Sequence, residues 1–322
     1  MLRANPKAAV SVASGQIHAI VESQLLKAFF ALPVLGVLCA QAALAQKSFG
    51  AQGPESEPDR MQRWLVPSPD ADTAARAILY RPPGDGPFRL ALIAHASTQN
   101  VLRRAQMPQS EYRALAAFLV ARGFAVLVPE RPGHGATGGR YLEDQGDCDE
   151  ADYISAGRAT AEAIVAALNY LRSQSFVRQE GAVILGHSAG AWGALALAGE
   201  KLKGVSAIIA FAAGRGGHAN DVPNQVCARH RLVSTAREFG KGARVPVTWL
   251  VAANDSYFSP KLSRQLADAF RSGGGSGDFH VLAASGSEGH WLAESDAGVK
   301  IAAPELDRAL KLKPPAAAAK KQ

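Results

Sequence analysis

The stretch Ala182-Val183-Ile184-Leu185-Gly186-His187-Ser188-Ala189-Gly190 decides the reading of this 322-residue chain. Four apolar residues make a short buried strand, and a small-residue helical segment follows from Ala191 to Gly199. A serine between two glycines at such a strand-to-helix junction is the pattern of a nucleophile elbow. The turn forces strained backbone angles on the serine, and a Cβ at either glycine would crowd the neighbouring strand and helix. The helix N-terminus behind Ser188 supplies partial positive charge and unpaired N–H groups where an oxyanion would form.

Working outward, apolar runs alternate with helical patterns. Strands are expected at Ala77 to Tyr80, Leu90 to Ala94, Phe124 to Val128, Val205 to Phe211, Val247 to Val251 and His280 to Leu282. Helices are expected over Glu111 to Arg122, ending at Gly123, and over Asp152 to Ser173. This alternation implies an α/β domain with a mostly parallel sheet covered by helices on both faces. Two connections are long, Pro129 to Ala151 and Ala212 to Val245. Insertions at the C-terminal ends of parallel strands are where ligands bind. The second carries Arg215, His218, Arg229, His230, Arg231, Arg237, Lys241 and Arg244; a solvated surface helix accounts for them better than a basic lid.

The hydrophobic content is 48% and the formal charge +7, with basic and acidic residues intermixed. Without a basic block or RNA-binding signature, nucleic acid is not an expected partner. Residues 1–45 read as a signal peptide with an N-terminal extension: Lys27 leads into the apolar run Ala28 to Leu38, and Ala43-Leu44-Ala45 fits signal-peptidase cleavage. A periplasmic or secreted location with no stable membrane anchor after cleavage is the expectation. Residues 46–75, rich in Pro, Gly, Ser and charge, read as a linker with no core, 76–310 as the domain, and 311–322 as a disordered tail. The mature chain would keep two of the three cysteines, Cys148 and Cys227. In an oxidising compartment they are a candidate disulfide between the two insertions; two unrelated buried thiols are the alternative. With no Cys-x-x-Cys and no His-Glu-x-x-His, neither a metal nor a cofactor is expected.

A serine hydroxyl needs a base, and the base needs an orienting acid. His290, in Gly286-Ser287-Glu288-Gly289-His290-Trp291 after the last strand, is the candidate base. His187 adjoins the serine but points elsewhere at a tight elbow; His95 is read as a loop support and His134 as a turn residue. Asp255, at the end of Thr248 to Ala253, is the candidate acid, ahead of Glu288 and of Asp278, which precedes its strand and belongs to the opposite edge. The order Ser188, Asp255, His290 matches that of the nucleophile-elbow enzymes.

On these residues, and on Ala94-His95-Ala96-Ser97, the chain resembles the α/β-hydrolase superfamily from about Arg76 to Leu310, and within it the dienelactone-hydrolase-like bacterial hydrolases. The resemblance implies an eight-stranded sheet and ester-type hydrolysis of a small molecule. It also implies a mechanism in which His290 takes the proton of Ser188 and the N–H groups of Ala189 and Ser97 bind the oxyanion. True dienelactone hydrolases use a cysteine where this chain has Ser188, and many relatives have His-Gly where it has His95-Ala96. The alternatives are a catalytically inactive binding protein of the same fold, or an acyltransferase or peptidase using the same triad.

Overall fold

Every expected strand becomes part of one sheet: the central ones are short apolar runs that bury both faces, while His280 to Leu282 lies at the edge with Val281 exposed. In this computed structural model, residues 48–200 and 203–311 are described. In chain order the strands are β1 (Gly50–Ala51), β2 (Gln62–Val66), β3 (Ala75–Tyr80), β4 (Arg89–Ala94), β5 (Phe124–Pro129), β6 (Ala182–His187), β7 (Val205–Phe211), β8 (Val247–Ala252) and β9 (Phe279–Leu282). The helices are α1 (Val101–Ala105), α2 (Arg113–Val120), α3 (Tyr153–Arg172), α4 (Ala189–Leu197), α5 (Arg229–Gly240), α6 (Pro260–Ser272) and α7 (Asp296–Ala309). The sheet runs β1-β2-β3-β5-β4-β6-β7-β8-β9. It is parallel from β5 to β9 and antiparallel across β1, β2, β3 and β5.

Successive side chains of the central strands feed opposite faces, as the two-residue period requires. Ala182 and Ile184 of β6 join the core formed with Leu168 of α3, Leu195 of α4, Leu232 of α5 and Leu266 of α6. Val183 and Leu185 join the second core, with Leu115 of α2 and Leu306 of α7. Helix ends follow their sequence signals. Asp152 caps α3 by accepting from Ser155 N, and Ser259, followed by Pro260, caps α6 by accepting from Leu262 N.

Two expectations are corrected. The sheet has nine strands rather than eight, and the segment 46–75, expected to be a linker without a core, contains β1 and β2. Trp64 and Val66 are buried, and Trp64 packs edge-on against Tyr170 and Phe176. An antiparallel strand near a sheet edge buries only alternate residues, so its apolar signal is brief and is masked by the surrounding Pro, Gly and charge. The signal peptide over 1–45 and the tail beyond Lys311 lie outside the described residues. Among the described residues, no helix is long and apolar enough to cross a membrane.

Candidate active site

Strand β6 runs straight into α4, and the junction residue Ser188 adopts φ 55° and ψ −116°. Strain of this kind is held only where packing over-determines it. Both flanking glycines show how: a Cβ on Gly186 would collide with the backbone of Ala191, and one on Gly190 with the carbonyl oxygen of Ala94. Ser188 O accepts from Trp192 N, closing the first turn of α4, while Ser188 N donates to Phe211 O on β7 at 2.9 Å. The hydroxyl makes no hydrogen bond among the described residues, and Ser188 lines a pocket of about 930 Å³.

His290 lines the same pocket from a short 3₁₀ segment, Gly289–Glu294, that follows β9. Its Nδ1 lies 3.2 Å from Asp255 Oδ2. Asp255 sits just past β8, and its Oδ1 accepts from the backbone N–H groups of Tyr257 (2.8 Å) and Phe258 (2.9 Å). A carboxylate anchored in this way holds the imidazole proton on Nδ1 and leaves Nε2 as the basic nitrogen. Burial pulls the His290 pKa below its ordinary 6.5; the Asp255 hydrogen bond opposes this without overcoming it. The ring is therefore a neutral base at neutral pH.

The rival candidates have other partners. His187 is buried beside Ser188, with Nε2 2.8 Å from the carbonyl oxygen of His290 and Nδ1 2.9 Å from the Tyr112 hydroxyl. Both of its nitrogens are engaged away from Ser188. Glu288 accepts from His290 N (2.9 Å) and Ser256 N (3.1 Å), so it braces the loop under His290 rather than the ring. Asp278 immediately precedes β9, which runs parallel to β8, and so lies at the opposite sheet edge.

On the β4 side, Ser97 lines the pocket and its Oγ lies 2.7 Å from His134 Nε2. His134 Nδ1 is 3.1 Å from the carbonyl oxygens of both Arg131 and Pro132. Two carbonyls around Nδ1 require the proton there, so Nε2 accepts from the Ser97 hydroxyl. Ser97 can then offer an oxyanion only its backbone N–H, which makes no hydrogen bond among the described residues; Ala189 stands at the N-terminus of α4, where backbone N–H groups lack intrahelical partners. Burial pushes the His134 pKa down to about 4. His134, expected as a turn residue, thus also holds the loop after β4. His95, expected as a loop support, accepts from Arg131 N at 3.1 Å through Nε2.

Beneath Arg215, which lines the pocket, a buried ion cluster forms a floor that no local sequence pattern announces. Arg131, two residues past β5, forks onto Glu143, and Arg215 reaches the same carboxylate from the second insertion at 3.1 Å. Arg131 Nη1 also donates to His95 O at 2.8 Å. Burial raises the Glu143 pKa, but the two guanidinium groups outweigh it and hold the carboxyl well below the usual range. Cys148 and Cys227, one from each insertion, both line the pocket and stand at disulfide distance, with Cα atoms 4.6 Å apart. Of the eight basic residues in the second insertion, Arg229, His230, Arg231, Arg237, Lys241 and Arg244 are exposed, while Arg215 and His218 line the pocket. Among the described residues, no group of three or more His, Cys, Asp or Glu is placed to hold a metal ion.

A mostly parallel sheet with a positive-φ serine at the end of a central strand is the arrangement of the α/β hydrolases. Residues 91–317 match the Alpha/beta hydrolase family, and the chain belongs to that family. It is similar in structure to an esterase of Pyrococcus furiosus, at 12% identity and TM-score 0.54, covering 78% of this chain and 91% of that one. A cold-adapted esterase from an Arctic intertidal metagenomic library gives 17% identity and TM-score 0.52, covering 82% and 100%. A puromycin-hydrolyzing peptidase of Mycobacterium tuberculosis gives 16% and 0.56, covering 80% of this chain and 40% of that one. No curated protein matches the chain.

Proposed function

We propose that this hydrolase is an exported serine esterase that cleaves carboxylic esters of small molecules through an acyl-enzyme. Ser188 attacks the acyl carbonyl while His290 Nε2 takes its proton, and Asp255 holds the imidazole and stabilises the imidazolium. The N–H groups of Ala189 and Ser97 receive the oxyanion, and water then releases the acyl group. The observation that carries the reading is the strained Ser188 at the N-terminus of α4, sharing one pocket with an Asp255–His290 pair at 3.2 Å. Export rests on the Ala28-to-Ala45 pattern, and is supported by two cysteines placed for a disulfide between the pocket walls.

Ser188→Ala and His290→Ala are each expected to lower turnover of a small p-nitrophenyl ester by about 10³-fold or more. A fluorophosphonate is expected to label Ser188 in the unaltered protein. Turnover retained in either variant, or labelling at another residue, overturns the assignment.

A further inference from the structure

The pocket wall beside His290 carries four aromatic side chains of very unequal accessibility. Tyr257 is sandwiched: His218 stacks on it at 3.5 Å between ring centroids and 9° between planes, and His290 at 4.2 Å and 21°. Neither face of Tyr257 is open. Phe258 and Tyr112 are buried. Trp291, in contrast, is 41% exposed. Its indole is nonetheless fixed, standing nearly perpendicular to His290 (5.2 Å, 81°), His187 (5.6 Å, 84°) and Tyr257 (5.9 Å, 73°). It is a rigid aromatic surface on the wall of the pocket, and binding to it costs little side-chain ordering.

The chemistry of the proposed triad says which part of a substrate meets that surface. When the tetrahedral intermediate collapses, the bond from the acyl carbon to the leaving oxygen breaks, and the electron pair goes to that oxygen. The oxygen takes from His290 the proton that came from Ser188. The leaving oxygen must therefore lie within hydrogen-bond reach of His290 Nε2, and whatever it carries lies against the residues around His290. We infer that Trp291 is the leaving-group subsite and that the preferred substrates are esters of aromatic alcohols, whose ring packs on the indole beside His290. This rests on the esterase reading.

The test is a pair of esters of the same acid, benzyl and methyl, whose leaving alcohols are of similar basicity. The ratio of their kcat/KM within one protein cancels any general damage to folding or to His290. It is expected to favour benzyl in the unaltered protein, to fall about tenfold in Trp291→Ala and to stay near the original value in Trp291→Phe, since a half-buried ring contributes on that scale. A ratio unchanged in Trp291→Ala overturns the inference.

Binding can be read without turnover. Trp64, Trp192 and Trp249 are 6%, 0% and 3% exposed, so acrylamide quenching of tryptophan fluorescence reports chiefly on Trp291. Benzyl alcohol is expected to protect that fluorescence in Ser188→Ala. Protection without any ester turnover in the unaltered protein upholds the subsite while the esterase reading fails. Turnover without protection and without a change in the ratio does the reverse.

Discussion

The floor beneath the pocket holds two arginines on one carboxylate, its mouth a single arginine–carboxylate pair, and the two differ in burial. At the floor, Arg131, Glu143 and Arg215 have side chains no more than 2% exposed. At the mouth, Arg103 of α1 meets Asp221 of the second insertion at 3.1 Å with side chains 66% and 76% exposed. Water screens the second pair and pays most of its solvation in either state, so it contributes little. The floor cluster has lost its water, and its charges are tolerable only because both guanidinium groups share the Glu143 carboxylate and also bond neutral oxygens. It gives position rather than net stability: Arg131 also holds His95 O, and Arg215 also holds the Tyr141 hydroxyl at 2.8 Å. The lesson is that one residue pairing can act as a fixed joint or as a loose contact, depending on burial.

The contrast is broken most sharply at Glu143. Glu143→Ala leaves two buried guanidinium groups facing each other and is expected to destabilise the protein by about 3–5 kcal/mol in urea unfolding. A loss under about 1 kcal/mol would mean that the floor is hydrated like the mouth. The next effect comes from His134, a buried group whose Nδ1 holds the Arg131 carbonyl oxygen beside this cluster. Its folded pKa of about 4 lies below the ordinary 6.5, so the unfolded chain takes up the proton first and stability is lost as pH falls through that window. The loss is expected to reach about 3 kcal/mol by pH 4. His134→Gln should remove this part of the slope, and an unaltered pH dependence would contradict the burial argument. The smallest effect belongs to the mouth, where Arg103→Ala is expected to shift stability by less than about 1 kcal/mol. A shift comparable to that of Glu143→Ala would erase the difference between floor and mouth.

The legible parts of the chain share a physical property, which is that their signals are local. The strand Ala182 to Leu185, the Gly186/Gly190 frame and the order Ser188, Asp255, His290 can each be read within a few residues or from their place after a strand. Strand β2 was not legible because Trp64 packs on Tyr170 and Phe176, about a hundred residues away, and Val66 is buried in the same long-range core. His134 looked like a turn residue because its second function, accepting from Ser97, is a contact across 37 positions. Glu143 sits in an insertion that no period describes, and its two partners come from the segments just after β5 and after β7.

By itself the sequence determined the α/β class, the parallel core and the site of the strained serine, since hydrophobic period and glycine placement act over single turns and strands. Tertiary structure decided which histidine faces Asp255 and which is consumed by Tyr112 and the His290 carbonyl. It also decided which arginines sink beneath the pocket and which of four tryptophans stays open beside His290. Those outcomes depend on desolvation and on partners brought together by the sheet order, and neither quantity exists until the chain has folded.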